Sequence, residues 1–560
     1  MTKQDFMEQL IEELYRYFSP EQYQLEGSVL LKNNDTKRYA ILLKKIEGTV
    51  SPTIYLDNFY SEFEHGRTTI SETASHIYEQ MHDFEIDFAG STLCMMGEGT
   101  HFAILDSRNI KVRNVVLENP ENMFMQVRVA AHGGGFVDVT PMNGREQFAI
   151  RRQELVCPAP RKTCNYWIET NIEFTPDGEI AYGTADHTMG NYIPEMRCEQ
   201  LADGNLRFYD VRRYPPVGNI LIISAARRLG AGFFLCDSSE IVCEDVTVHS
   251  CLGMGLIAQM CENIHLNRFC TVRAEGLYYS ATADATHFVD CNGRVTVENC
   301  TFEGQLDDAL NIHGIYTRVL AKDKNELFVR EMHNDAKGIR IYHAGDRVQA
   351  LHPQTLIPYT EKTVEAVEYI NGDLIRLVLS GETDDIRVGD DIENISHNVE
   401  LVFRRNTVKN NRARGMLIAA RGKTLIEDCT FHTSGVAILF ESDGAYWFES
   451  GGTEDVTIRN CLFDRCKHGG WGRGVIECVA RPATEEGKYF HHCIRITENE
   501  FRMLPGDAIP AAIFDNVQTA VFTDNRMMTA SGAPATVVLH HIGQAEVQPD
   551  TDLETVPEEM

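Results

Sequence analysis

The chain has 560 residues, with 52 basic and 82 acidic side chains for a net charge of −30 and 43% hydrophobic residues. That composition can bury a large core and is not that of a disordered chain. The acidic balance argues against nucleic-acid or anionic-membrane partners, whose recognition needs clustered Lys and Arg.

The first ~82 residues read as a small α+β module. Phe6, Leu10, Leu14 and Phe18 follow the cap residue Thr2 and predict an amphipathic helix. Thr69-Ile70-Ser71-Glu72 resembles a capping box that opens a second helix. The N-terminus shows no apolar h-region, so no secretory signal is expected and a cytoplasmic location is the default. No run of 18 apolar residues occurs, so no transmembrane helix is expected.

From residue 110 a short motif recurs: apolar-x-apolar-x-x-(Asn, Cys or apolar)-x-apolar. Val295-Thr296-Val297-Glu298-Asn299-Cys300-Thr301-Phe302 is the type copy. Others span 110–117, 241–248, 401–408, 425–431, 456–463, 494–501 and 520–527. Alternation predicts a short strand with one inward face, followed by a turn at the Asn or Cys. Ile264-His265-Leu266 begins a weaker copy. Starts at 241 and 264, then at 401, 424, 456, 494 and 520, give steps of 23, 23, 32, 38 and 26 residues, which without intervening helical pattern predict a right-handed parallel β-helix. Asn499 and Asn525 stand where Cys300, Cys429 and Cys461 stand, which suits a stacked inner turn. The 16 cysteines contain no Cys-x-x-Cys pair and read as reduced packing residues rather than zinc ligands.

Two gaps interrupt the ladder, of 131 residues between the copies at 110 and 241 and of 106 between those at 295 and 401. Pro158, Pro160, Pro176, Pro215 and Pro216 punctuate β-rich runs in the first, and both predict inserted small β-barrels. The expected organisation is therefore the module at 1–82, first coils at 83–118, a barrel at 119–230, catalytic coils at 231–315, a second barrel at 316–398, C-terminal coils at 399–542 and a loose acidic tail at 543–560. The fold class is all-β apart from the first module.

A β-helix does not fix function, but its long side suits glycans, and carboxylates are the usual catalysts there. Asp284 lies in Thr282-Ala283-Asp284-Ala285-Thr286-His287-Phe288. Asp307 and Asp308 lie 23 and 24 residues later, one coil on, so three carboxylates share one patch. Crowded like charges split their pKa values, which is the division of labour glycoside hydrolysis needs. His287, Asn311 and His313 occupy the same two coils. Solvated turns or a calcium site are the bland alternatives for these acids.

Those residues also carry a resemblance. The stretch around Asp284, followed by Leu306-Asp307-Asp308-Ala309-Leu310-Asn311-Ile312-His313-Gly314-Ile315-Tyr316, resembles the signature region of glycoside hydrolase family 110. Gly253-Met254-Gly255-Leu256-Ile257-Ala258-Gln259, Asn411-Arg412-Ala413-Arg414-Gly415-Met416-Leu417-Ile418 and the block from Ala437 to Gly451 agree with it. The resemblance covers residues 84–530 and implies an exo-acting, metal-independent, inverting α-1,3-galactosidase without cofactor, acting on glycans such as the blood-group B determinant. Its catalytic carboxylates map onto Asp284, Asp307 and Asp308, with Asp284 read as general acid and the other two as holding and deprotonating water. His287, Asn311, His313, Arg414, Glu441, Asp443 and Trp447 are the candidates for the sugar pocket, Trp447 by stacking on galactose. The first module departs from the family and resembles an uncharacterised domain of gut Firmicutes through Ser51-Pro52-Thr53-Ile54-Tyr55-Leu56-Asp57-Asn58-Phe59-Tyr60. Polygalacturonase-like glycanase and non-catalytic glycan-binding β-helix are the competing functions. The oligomeric state stays open, with a homodimer among the candidates.

Overall fold

The structure is a computed structural model. It describes residues 73–555 except 97–98, 120–123, 143–147, 159–164, 168–169, 183–185, 191–192, 194–195, 225–227, 229, 480–482, 505–508, 530–533 and 550, and the backbone of four earlier strands at 23–26, 39–45, 53–57 and 61–62. The helix expected around Phe6–Phe18 lies outside the described residues.

Three parallel ladders run the length of the described chain and close a β-helix. One carries the motif strands: Ile241 pairs with Ile264, Ile264 with Val295, Val295 with Leu401, and Leu401 with Thr424. A second begins after each turn, where Thr301 pairs with Thr407 and Thr407 with Thr430. The turn residue between them is left-handed without being glycine: Asn299, Asp428, Asn460 and Asp524 have φ of 52–58°. The next residue points inward. There Asn499 Nδ2 donates to Asn525 Oδ1 (3.0 Å), while Asn499 Oδ1 and Asn406 Oδ1 accept the backbone N–H of Cys461 and Cys300. Cys300, Cys429 and Cys461 are buried free thiols in this row. Phe302, Phe403, Phe431, Phe463, Phe501 and Phe522 stack down the core at centroid spacings of 4.7–6.3 Å.

The third ladder positions the site. Its strands are β1 (Leu256–Gln259), β2 (Thr286–Val289), β3 (Leu310–Asp323), β4 (Met416–Ala419) and β5 (Ile438–Phe440). Thr286 pairs with Leu256 and Leu310, and Leu310 with Met416. β3 does not end with its coil. Residues 316–323 run on into a six-strand antiparallel ring that closes on itself through Glu326–Glu331, Leu374–Leu379, Pro358–Tyr369, Arg347–Leu351 and Asp391–Asn394. Val319, Leu327, Val329, Leu377 and Ile392 fill it. The earlier insertion forms a six-stranded antiparallel sheet and a three-stranded one around a second small core. The chain is thus all-β in its described residues, a parallel β-helix interrupted by two β insertions.

Three expectations differ from the structure. Residues after the capping-box sequence form a strand, Thr73–Glu79, paired parallel with Thr100–Leu105. The parallel ladder therefore starts before residue 83, and strands at 39–45 and 53–57 pair parallel with His82–Met96. The open edge of the first coil is a row of unmet N–H and C=O groups, and it captures these segments whatever their local helical preference. The tail from Gly543 is likewise not loose: Thr536–Val547 completes a coil and Asp552–Thr555 pairs parallel with it.

Candidate active site

The turns that enter β2, β3 and β4 are built from small residues, so successive turns stack backbone on backbone. Gly255 N–H donates to Asp284 C=O, Ala285 N–H to Asp308 C=O, and Ala309 N–H to Gly415 C=O. A Cβ on Gly255 or Gly415 would lie 2.5 Å or 2.3 Å from the carbonyl of the next turn. This register aligns Asp284 with Asp308, 24 residues on, and sets Asp307 one step earlier in the turn. One oxygen from each of Asp284, Asp307 and Asp308 falls within 4.8 Å of the others.

The cluster sits at the wall of a cavity of about 240 Å³, small beside the ~300–1,000 Å³ that drug-sized ligands occupy and on the scale of one sugar ring. Asp284 and Asp307 line it. Asp308 is fully buried, is not among the lining residues, and is held from behind by Arg414 through its backbone N–H, Nε and a terminal nitrogen at 2.8–3.0 Å. Three guanidinium groups face the acids: Arg414 on Asp308, and Arg412 (3.3 Å) and Arg228 (3.4 Å) on Asp307. They bring the positive charge that a bound cation would otherwise supply. Arg412 is fixed in turn by a fork on Asp186.

Burial raises Asp307, opposed by Arg412 and helped by the charge of Asp284. Burial takes Asp308 up to about 7, against Arg414 and with both other aspartates. Asp284 goes the other way: burial acts to raise it, but the His287 hydrogen bond and the charges of His287, Arg228 and Arg414 hold it below the usual carboxylate range.

His287 Nδ1 lies 2.5 Å from Asp284 Oδ2, and His287 Nε2 lies 2.9 Å from His313 Nε2. His287 and Asn311 are register partners on β2 and β3, both aimed into the cavity with His313. Asn311 Nδ2 donates to Glu449 at 3.3 Å, while its buried Oδ1 has no hydrogen-bond partner. Glu441 and Arg414 also line the cavity. Trp447 is 46% exposed at the rim, 4.8 Å from the His333 ring, and so is not a core residue. Asp443 reaches the wall, but both its oxygens accept the backbone N–H groups of Ala445, Tyr446 and Trp447 at 2.7–3.1 Å. It shapes the loop that presents Trp447.

Sequence reasoning missed Arg412, Arg228, Asp186, Glu449 and Trp471, the last lining the cavity with its ring 5.0 Å from the Arg412 guanidinium. Arg412 alternates with Arg414 in a motif already singled out, so its signal was present. Arg228 and Asp186 come from the first insertion, with nothing local to mark them.

Residues 125–221 match the family described as GLAA-B beta-barrel domain I, residues 326–392 match GLAA-B beta-barrel domain II, and residues 3–95 match a family of unknown function (DUF5688). An Alpha-1,3-galactosidase B of Parabacteroides distasonis is 30% identical over 487 residues, which is 82% of this chain and 77% of that protein. An Alpha-1,3-galactosidase A of Bacteroides fragilis strain YCH46 is 28% identical over 520 residues, 90% of this chain and 84% of that one. Among solved structures, the family 28 exopolygalacturonase of Yersinia enterocolitica aligns at 9% identity and a TM-score of 0.35, covering 91% of this chain and 80% of that one.

Proposed function

The chain belongs to glycoside hydrolase family 110, the α-1,3-galactosidase family, and from that premise we propose that it is an exo-acting enzyme that hydrolyses terminal α-1,3-linked galactose from glycans. The observation that carries the reading is the small cavity that meets two differently tuned carboxyl groups, Asp284 and Asp307, under an exposed tryptophan. Asp284 takes a proton from His287 across their short contact and delivers it to the glycosidic oxygen as the C–O bond breaks. Asp307 takes the proton of the attacking water, a task its raised pKa suits. Asp308 holds Arg414, and Arg414, Asn311 and Glu441 meet sugar hydroxyls. Trp447 packs on the apolar face of the galactose ring.

We propose the inverting course, which the family resemblance implies. The retaining course is the second reading, and one distance favours it. Inverting carboxyl groups stand about 6.5–9.5 Å apart and retaining ones about 5–5.5 Å, and here one oxygen of each carboxyl comes within 4.8 Å of the others, a close spacing. Incubation with galactose-α-1,3-galactose, followed by NMR of the first anomer released, decides between them. β-Galactose is expected. α-Galactose first would establish retention, and no release would overturn the galactosidase reading.

A further inference from the structure

Three hydrogen bonds join Asp284, His287 and His313 in one line. Asp284 Oδ2 meets His287 Nδ1 (2.5 Å), His287 Nε2 meets His313 Nε2 (2.9 Å), and His313 Nδ1 meets the carbonyl of Gly314 (2.7 Å). A carbonyl can only accept, so His313 Nδ1 carries a hydrogen. Each of the other two bonds also needs one hydrogen. An ionised aspartate and two neutral imidazoles supply only two in all, so the line of three bonds holds one proton more.

We propose that Asp284, His287 and His313 form a proton store that loads the general acid, with His313 as its positioning residue. This rests on the reading of Asp284 as the acid. His313 acts through the carbonyl contact. That contact fixes its Nδ1–H and turns its bare Nε2 toward His287, which must then donate. The extra proton rests on the Asp284–His287 pair, at the cavity wall. Buried His313 is held below the usual imidazole range, chiefly by burial, which keeps the charge off it. The charged groups that face the line are Asp307, Asp308, Arg228 and Arg414 at the Asp284 end, and Glu449 and Asp290 at the His313 end. In turnover the proton passes from His287 across the short bond to Asp284 and on to the leaving oxygen. Water adds to the anomeric carbon and gives its proton to Asp307, and solvent refills the line.

The test compares wild type with His313→Leu and His313→Gln in the full chain. Nitrogen-15 histidine NMR reads His287 without any turnover, and both its ring nitrogens should carry hydrogen in wild type, as the count of bonds requires. Leucine removes the acceptor, so the second hydrogen of His287 should be lost more readily than in wild type, because the charged hydrogen bond that held it is gone. The basic limb of kcat/KM on galactose-α-1,3-galactose should move down with it, read as the position of the limb and not as the overall rate. Glutamine, which keeps an acceptor, should restore most of the shift. With a galactosyl fluoride, whose departure needs no proton, the basic limb should not move between wild type and His313→Leu. A His287 with one bare ring nitrogen in wild type, or an unmoved limb in His313→Leu, overturns the store. Wild type inactive on every α-galactoside, with His287 still doubly protonated, overturns the galactosidase reading alone.

Discussion

Asp307→Asn separates the base from the frame that holds it. In the folded protein Asp307 contacts Arg412 at 3.3 Å and Arg228 at 3.4 Å, with its side chain 17% exposed. Removing its charge strands neither cation, because Arg412 keeps its fork on Asp186 and Arg228 keeps Asp335 at 3.7 Å. The amide is the same size, so no cavity opens. The stability change should stay within about 1 kcal/mol. The chemistry should not survive as well. Loss of a positioned base costs roughly 10²–10⁴-fold, or about 3–5 kcal/mol in the barrier. The assay is kcat on galactose-α-1,3-galactose beside a denaturant melt of the same preparation. Azide is an anion that needs no deprotonation, so it should restore turnover of an aryl α-galactoside by Asp307→Asn and give β-galactosyl azide. Asp284→Asn should behave oppositely, failing on the disaccharide but retaining activity on substrates with excellent leaving groups. Asp307→Asn within about threefold of wild type, a difference under 1 kcal/mol, refutes the assignment. Azide rescue of Asp284→Asn instead of Asp307→Asn reverses it.

Trp447→Ala should raise KM by about two- to tenfold, the scale of one lost aromatic contact, with kcat nearly unchanged. An unchanged KM would remove Trp447 from the sugar site. Phe463 is 1% exposed and stacks between Phe431 (5.2 Å) and Phe501 (4.7 Å), so Phe463→Ala should cost about 3–5 kcal/mol in urea unfolding; a loss below about 1 kcal/mol would mean that the ladder relaxes around the gap. Glu331 is 1% exposed in the second barrel and burial pushes it up to about 8. Its folded pKa is raised, so its contribution is full below about 4.3, the unfolded value, and is lost as pH rises toward 8. Glu331→Gln should flatten the fall in stability between those pH values, and an unaltered pH slope in thermal melts would show that Glu331 is ionised in the fold.

The solenoid was legible because each coil repeats one demand, two inward positions, a left-handed turn and two further inward positions, and the copies must stack on one another. The acid cluster was legible for the same reason, since one coil of spacing becomes one step of stacking. Its register was off by a residue. The motif copies counted 23 between neighbouring coils, whereas β2 and β3 pair at 24, so the residue stacked on Asp284 is Asp308 rather than Asp307. Asp443 lines the cavity, and its hold on the backbone N–H groups of its own loop is a second role that nothing local in the sequence marks. The helix expected after Thr69 failed on a non-local ground. A capping box is worth about a kilocalorie, while an open sheet edge offers a hydrogen bond at every second residue.

The two insertions turn the side of a solenoid into a pocket. A bare β-helix offers a long open groove, which would accept a chain at any point along its length. Here the first insertion sends Asp186 and Arg228 to the Asp307 end of the cluster. The second begins in β3 itself, three residues past His313, and returns His333 and Asp335 to the rim. Because β3 is a rung of the solenoid at one end and a strand of the barrel at the other, the wall cannot move without disturbing the rung that carries Asn311 and His313. A cavity lined from both insertions suits the end of a glycan better than its middle. The exo action proposed here therefore follows from where the chain is interrupted: the first insertion precedes the coils that carry the aspartates, and the second leaves directly from the last of them.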